Sequence, residues 1–405
     1  MGVFMKDIYI DSLNDKDKNV RLDALRKLML LYETGALEKP ITGVNVNNHI
    51  HTTYSFSPYS PSMAVFKSWQ IGLATTGIMD NDSVAGAIEF SQAGEILKMP
   101  VTVGFELRCS MAGTPFEGRR INNPDQDSVV YLAMHGVPRK SLADAEKFLA
   151  PYREKRNIRN WKMVERLNDK LRPYRLELDF TTEVLPLSEY SAGGSVTERH
   201  ILYALAAKIS PEEMPRHFLL GMFKSQLVES FYVDAADELP HITDFVSLAE
   251  SLGAIPAYAY LGDVGVSVTG DKRTQMFEDS YLDELLDYLK TIGIRAVTYM
   301  PARNSDAQLS RIKELCDLNG FFQISGEDIN SPLQKFICAK IETPEFEHLI
   351  DSAWALVGHE LATATDLSKG MFSKQTIKQM PDLDKRIMHF AELAKDKFRV
   401  KRKVI

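Results

Sequence analysis

The chain has 405 residues, of which 44% are hydrophobic and 25% are charged, a composition typical of a soluble globular protein. Its formal net charge of -7 argues against broad binding to nucleic acid or to a membrane surface, because proteins with such partners usually carry a basic excess. One local exception is a basic cluster whose ordinary interpretation is a solvated helix end. It comprises Arg399, Lys401, Arg402 and Lys403.

The cysteine content and the apolar runs bear on the cellular compartment. The three cysteines, Cys109, Cys316 and Cys338, have no CxxC spacing, so they predict neither a disulfide framework nor a thiolate zinc site. The first residues lack the apolar run and small-residue cleavage site of a secretory signal. The longest apolar runs are far shorter than the roughly 20 residues that span a bilayer. We therefore expect a cytoplasmic protein without a membrane partner.

The first part of the chain, to about residue 38, has leucines at helical spacing and a stop at Gly35, which predicts helix. A different pattern begins at Lys39 and Pro40, where short β-branched or apolar segments alternate with helical ones. The first predicted strands are 44–47, 75–79 and 101–105, and the helices between them are 61–70 and 83–97. This alternation is typical of an α/β architecture with parallel strands.

The alternation stops at about residue 140, where charged helical sequence continues to about 225, and then resumes. The later predicted strands are 254–260, 296–300 and 321–325, and the helices are 244–252, 281–292 and 306–318. Residues from about 343 to 405 are again mainly helical. We predict a helical N-terminal extension (1–40), a β/α barrel (41–340) with a helical insertion at about 140–225, and a helical C-terminal extension (341–405).

Several polar side chains follow the predicted strands, at the carboxyl ends where barrel active sites are built. A His-X-His pair on an extended segment places both imidazoles on one side, because side chains alternate with a period of two. Two imidazoles joined by carboxylates from other strands suit one divalent cation. The candidate residues are His49 and His51, then Asp80, Asn81 and Asp82, then Glu106, and finally Glu327, Asp328 and Asn330.

Five segments, in chain order, resemble the motifs of the PHP (polymerase and histidinol phosphatase) family. They are NHIHTTYS at 48–55, GIMDND at 77–82, VGFE at 103–106, GAIPAYAY at 253–260 and GEDIN at 326–330. The resemblance spans about residues 45 to 335 and implies the family fold, a distorted seven-stranded β/α barrel. It also implies a metal-dependent phosphoesterase chemistry.

The resemblance implies a reduced metal centre. Four positions that hold metal ligands in the family are occupied here by Phe56, Asn81, Tyr260 and Asn330. The four ligands of one family site are all present, as His49, His51, Glu106 and Asp328. His135 is the nearest candidate for a further ligand. The hypothesis is therefore one divalent ion, Zn, Mn or Fe, with more ions as the alternative.

Other residues are candidates for roles beside the metal. Asp80 or Asp82 would serve as general base or would orient a ligand. Lys67, Arg108 and Arg303 are candidates for binding the negative charge of a small-molecule substrate.

A further stretch, Glu198-Arg199-His200, resembles a helix motif of the PHP subgroup that hydrolyses nucleotide-like phosphates. It departs from that motif because Glu198 occupies the usual position of the arginine.

Three functions remain open from the sequence. The first is a metal-dependent hydrolase of a small-molecule or nucleotide phosphoester. The second is a catalytically silent homologue that binds a ligand or partner, since Asn at a former ligand position keeps a hydrogen-bonding group. The third is a mononuclear hydrolase of a non-phosphate bond. Neither the substrate nor the oligomeric state is indicated by the sequence.

Overall fold

The computed structural model describes residues 2–264 and 276–399, so Lys401, Arg402 and Lys403 lie outside the described residues. Seven strands form one sheet in chain order. They are β1 (Val46–Ile50), β2 (Thr75–Asn81), β3 (Val101–Ser110), β4 (Val129–His135), β5 (Ile255–Ala259), β6 (Ala296–Tyr299) and β7 (Phe322–Ser325).

The sheet closes into a distorted barrel, as predicted. Ile50 at the end of β1 forms a parallel bridge with Ile329, and the N–H of His51 donates to the Ile329 carbonyl at 3.0 Å. Strands β1 to β3 are parallel, and so are β5 to β7, whereas β4 is antiparallel to both of its neighbours. The sequence analysis predicted parallel strands and did not predict the strand at β4. The reversal of β4 follows from its connection to β3, because residues 111–128 return the chain without a crossover helix.

Helices surround the barrel and fill the insertion and both extensions. The N-terminal pair is α1 (Gly2–Ser12) and α2 (Lys18–Glu33), and the first barrel helices are α3 (Pro61–Gln70) and α4 (Ala87–Leu97). The insertion contains α5 (Leu142–Leu171), α6 (Glu198–Ile209), α7 (Glu213–Gln226) and α8 (Val228–Phe231). The later helices are α9 (Ile242–Leu252), α10 (Leu282–Ile292), α11 (Asp306–Asn319), α12 (His348–Thr363), α13 (Lys374–Gln379) and α14 (Leu383–Lys397).

The buried apolar side chains form two clusters. The larger cluster joins barrel residues such as Phe105 to Leu25 of α2 and Trp354 of α12, so both extensions share the barrel core. The smaller one is built by the insertion, with Ile201 of α6, and it also includes Phe56 from the loop after β1. The boundaries of the three predicted parts remain predictions. Within residues 2–264 and 276–399, no helix is both long and apolar enough to cross a bilayer.

The C-terminal helices α12 and α14 cross so closely that one position admits only glycine. A Cβ atom on Gly358 would overlap the carbonyl oxygen of Phe390 and lie 2.6 Å from its carbonyl carbon. Both of those atoms belong to the backbone, so relief requires the two helices to move apart. We expect Gly358→Ala to lower the free energy of unfolding by roughly 1–3 kcal/mol or more, as overpacking does. Urea denaturation measures this.

Gly221 in α7 is the matched control for that substitution. Outside the backbone of α7 itself, no heavy atom of the described residues lies within 4 Å of the position that a Cβ atom on Gly221 would take. Gly221→Ala should therefore be neutral or stabilising by up to about 1 kcal/mol, through helix propensity alone. Equal losses of stability at the two positions would contradict the close crossing.

Candidate metal centre

Three side chains converge at the carboxyl ends of β1 and β3. His49 lies in β1 and His51 directly follows it, and their imidazole centroids are 5.2 Å apart. Glu106 of β3 reaches both rings, with 3.3 Å from its Oε2 to His49 Nε2 and 3.8 Å from its Oε1 to His51 Nε2. One ligand atom from each residue lies within 4.8 Å of the others, a geometry that a metal ion could bridge. The side-chain alternation expected from the sequence thus places both imidazoles together.

Asp328 adds a second carboxylate beside this group. Its Oδ1 lies 3.1 Å from His51 Nε2 and accepts a hydrogen bond from Asn330 Nδ2 at 2.6 Å. The side chain of Asp328 is 33% exposed, against 2% for His51, so the centre opens to solvent on the Asp328 side. Glycine at position 326 allows the segment after β7 to lie against β1, because a Cβ atom on residue 326 would be 2.6 Å from the Cβ of His49.

The electrostatics of the centre favour a cation. Burial disfavours the charged form of His51, but the hydrogen bond and charge of Asp328 outweigh it and raise the pKa of His51 to about 8. Burial likewise opposes the charged form of Glu106, yet the hydrogen bond and charge of His49 leave the pKa of Glu106 below its usual value. The carboxylates of Glu106 and Asp328, which are only partly exposed, therefore draw positive charge to this point, whether from a proton or from a metal ion.

A hydrogen-bond chain determines which nitrogen of His51 faces the centre. Asp80 accepts from the Thr52 N–H and the Thr52 hydroxyl, both at 2.6 Å, and from Ser55 Oγ at 2.8 Å. Ser55 has only one hydroxyl hydrogen and gives it to Asp80, so its oxygen must accept from His51 Nδ1 at 3.1 Å. The hydrogen of neutral His51 is thus on Nδ1, and the Nε2 lone pair points at Glu106 and Asp328. This is the tautomer that a metal ligand needs.

Two further predicted residues lie near the ligands. The side-chain nitrogen Nδ2 of Asn81 lies 3.4 Å from His51 Nδ1. Because Nδ1 already donates to Ser55, the amide of Asn81 would have to present its oxygen there to form a hydrogen bond.

His135 is the last residue of β4. It follows Ala133, the pairing partner of Glu106, by two residues, so the His135 side chain points to the same barrel interior as Glu106, closer to the amino ends of the parallel strands. Burial lowers the pKa of His135 to about 3, and its Nε2 has no hydrogen-bond partner among the described residues. The orphaned nitrogen suits a metal ligand, although His135 stands outside the three-residue group.

The two predicted catalytic acids are engaged elsewhere. Asp80 is 1% exposed and its oxygens are occupied by Thr52 and Ser55, and burial raises its pKa. Asp82, at the end of β2 with a φ of 51°, forms a buried ion pair with Arg156 of α5. Neither carboxylate is open to a substrate.

The three predicted substrate-binding cations are dispersed. Arg108 lies two residues beyond Glu106 on the same face of β3, but its Nη2 is paired with buried Glu238 at 2.6 Å. Arg303 donates from Nε to the Leu261 carbonyl at 3.2 Å. Lys67 lies in the last turn of α3, which leads back to the amino end of β2 and so to the far end of the barrel.

The remaining substituted family positions contribute to packing and hydrogen bonding. Phe56 meets the ring of His200 at 5.0 Å and belongs to the apolar core of the insertion. The hydroxyl of Tyr260 donates to Asp279 Oδ1 at 2.7 Å. Neither side chain is available to a metal ion in this arrangement.

The sequence analysis missed or undervalued two features of the centre. Ser55 was not singled out, although it follows His51 by four residues in the same loop. Arg199, at the start of α6, was passed over because Glu198 holds the expected position. Arg199 is partly exposed, and its charge helps to lower the pKa of Asp328, after the larger effects of the two histidines.

These features define a distorted β/α barrel with a cluster of histidine and carboxylate side chains at the carboxyl ends of its strands, and two solved structures share the fold. A protein from Bifidobacterium adolescentis, provisionally described as a metal-dependent phosphoesterase, matches with a TM-score of 0.55 and 18% identity over 78% of this chain and 98% of its own. An amidohydrolase from Chromobacterium violaceum, solved with bound sulfate and no metal, matches with a TM-score of 0.56 and 16% identity over 76% and 96%. No protein-family model and no curated protein matches the sequence.

Proposed function

We propose that this chain is a metal-dependent hydrolase that binds one divalent cation through His49, His51, Glu106 and Asp328. The observation that carries the proposal is the convergence of the two imidazoles on Glu106, with the Nε2 lone pair of His51 directed at the carboxylates. Zinc, manganese and iron(II) all accept such a set of two nitrogens and two carboxylates.

The surroundings support one ion rather than a cluster. Phe56 is packed in the insertion, Tyr260 is bonded to Asp279, and Asn330 donates to Asp328. These three positions therefore offer no carboxylate or imidazole to a second ion, although the buried Oδ1 of Asn330 has no hydrogen-bond partner among the described residues. His135 is the first candidate ligand for a second ion, because its buried Nε2 has no hydrogen-bond partner among the described residues.

We propose a phosphoester of a small molecule or nucleotide as the substrate class. A divalent cation at this site would lower the pKa of a bound water and polarise one substrate oxygen. Asp328 is the most exposed of the four ligands, so the substrate would approach from its side. Arg199 is partly exposed near Asp328 and would bind the negative charge of the substrate. Asp80 acts through Ser55 to hold His51, and it is a positioning residue.

Elemental mass spectrometry on protein purified without chelators or metal-binding tags tests the proposal. We expect about one equivalent of a transition metal, lost in His49→Ala and in Asp328→Ala. His389→Ala is the control, because His389 is exposed on α14 and should leave the metal content unchanged. Two or three equivalents would restore a multinuclear centre, with His135 the first residue to examine.

A phosphoester screen with the loaded protein tests the activity. We expect hydrolysis that requires the metal, and Arg199→Ala should raise KM more than it lowers kcat, because Arg199 contacts the substrate rather than the reacting atoms. Metal bound without hydrolysis of any phosphoester would reject this substrate class. Failure to bind metal after reconstitution would reject the hydrolase and favour a catalytically silent protein that binds a ligand or partner.

A further inference from the structure

The loop that follows β1 connects the metal centre to the core of the insertion. Ser55 accepts a hydrogen bond from His51 Nδ1 at 3.1 Å and donates to Asp80 at 2.8 Å. The next residue, Phe56, is 8% exposed and belongs to the apolar core of the insertion. In the described part of the chain, every other buried member of that core lies between residues 163 and 231. Phe56 is therefore the place where the insertion core reaches the loop of the metal centre.

Helix α6 of the insertion holds the ring of Phe56 in place. The His200 ring meets it edge to face with the centroids 5.0 Å apart, and the Tyr203 ring lies at 5.8 Å. His200 is 1% exposed, and its Nδ1 accepts from the Thr197 N–H at 3.0 Å, so this contact surface is itself fixed. Burial lowers the pKa of His200 to about 3, and a weaker, opposing effect comes from a hydrogen bond between its ring and the Ser55 backbone. The ring is therefore neutral, and it contacts both Ser55 and Phe56.

Hydrogen bonds and packing hold opposite sides of Ser55. On its amino side, the Ser195 N–H of the insertion donates to the Tyr54 carbonyl at 2.7 Å, and the Ser55 N–H donates to the Thr52 carbonyl at 3.0 Å. On its carboxyl side, the backbone of Phe56 makes no hydrogen bond within the described chain, so the buried side chain is the anchor. A rotation of the backbone at this point would move the Ser55 hydroxyl away from the imidazole that it orients. Loss of the anchor would therefore reach a proposed metal ligand.

We propose that Phe56 is a positioning residue that joins the insertion core to the metal centre through Ser55 and His51. The inference rests on the proposed function for its effect on metal binding, whereas the orientation of His51 can be observed in the metal-free protein. A displaced insertion would thus weaken metal binding although it contributes no ligand. Arg199, which is proposed to bind the substrate, directly precedes His200 in the first turn of α6. One turn of the insertion would then carry both the substrate contact and the contact with Phe56.

Nitrogen-15 NMR of the histidine rings and isothermal titration with Zn²⁺ test the proposal on the full-length protein. At about pH 9.5, above the His51 pKa of about 8, metal-free Phe56→Ala should show a mixture of His51 tautomers where the wild type shows Nδ1–H. Its Zn²⁺ affinity should fall about tenfold, the lower end of the range for loss of a partner of a ligating histidine. Phe223→Ala is the matched control, because Phe223 is also 8% exposed in the same core but lies on α7. It should lose a similar amount of stability in urea and keep the wild-type tautomer and affinity.

The conservative variant Phe56→Leu keeps an apolar side chain in the core, so it should restore the single tautomer and most of the affinity. Equal changes at His51 in Phe56→Ala and Phe223→Ala would overturn the proposal, because general loosening of the insertion would then explain both. A wild-type tautomer in a folded Phe56→Ala would also overturn it. If Phe56→Ala does not fold, Phe56→Leu and Phe56→Met decide, and wild-type behaviour of His51 in both overturns the proposal. If the wild type binds no Zn²⁺, the proposed function fails, whereas a changed tautomer in metal-free Phe56→Ala still supports the positioning role.

Discussion

Replacing Glu238 by Ala should lower the free energy of unfolding by about 3–5 kcal/mol, the usual cost of leaving a buried charge without its partner. Glu238 Oε1 accepts from Arg108 Nη2 at 2.6 Å and from Arg159 Nε at 2.8 Å. All three side chains are 5% exposed or less. The substitution therefore leaves two buried guanidinium groups without their shared carboxylate, one on β3 and one on α5 of the insertion.

Two comparisons isolate this effect in urea denaturation. Glu284 is 71% exposed in its pair with Arg119, so Glu284→Ala should change stability by less than about 1 kcal/mol. Glu238→Gln keeps an acceptor of the same shape and should lose less than Glu238→Ala, because only the charge is removed. If Glu238→Ala and Glu284→Ala lose the same stability, the arginine pair does not hold the insertion to the barrel.

The consequence of this triad for the site is geometric. Arg108 follows Glu106 by two residues on the same face of β3, so an insertion that detaches from Arg108 would uncover the region beside this proposed metal ligand. A second ion pair, between Asp82 and Arg156, joins the end of β2 to the same helix α5. Metal content measured on Glu238→Ala shows whether the loss of stability spreads to the centre.

Replacing Ser55 by Ala should weaken metal binding by about 10–100-fold, the range found when a partner of a ligating histidine is removed. Ser55 accepts from His51 Nδ1 and donates to Asp80, and these two bonds place the hydrogen of His51 on Nδ1. Without Ser55, the imidazole can turn or change tautomer, and Nε2 then points at the carboxylates for only part of the time. Isothermal titration with Zn²⁺ measures the affinity.

Nitrogen-15 NMR of the histidine rings separates this effect from general damage. In the wild type, His51 should show the neutral Nδ1–H form when metal is bound, and Ser55→Ala should mix the two tautomers in the metal-free protein. Ser83→Ala is the control, because Ser83 is equally buried at the same end of the barrel but donates to the Gly193 carbonyl. An unchanged affinity in Ser55→Ala, or an equal loss in Ser83→Ala, would remove Ser55 from the positioning of His51.

The sequence by itself determined the positions of six of the seven strands, all except β4, and the end of the strands at which the candidate ligands lie. The periods of two and 3.6 residues are local, so the β/α alternation and the common face of His49 and His51 could be predicted from neighbours along the chain. Glu106 and Asp328 could be predicted as candidates for the same reason, since each follows a predicted strand at the end where barrel sites form.

Only the tertiary structure decided which partner each polar side chain meets. Asp82 is separated by 74 residues from Arg156, and Arg108 by 130 from Glu238. The reversed direction of β4 and the placement of the insertion bring these pairs together. Such contacts depend on sheet register and on helix packing, which periodicity does not encode. For the same reason the sequence suggested open roles for Asp80, Asp82 and Arg108, whereas in the folded chain their charges hold the loops and the insertion around the metal centre.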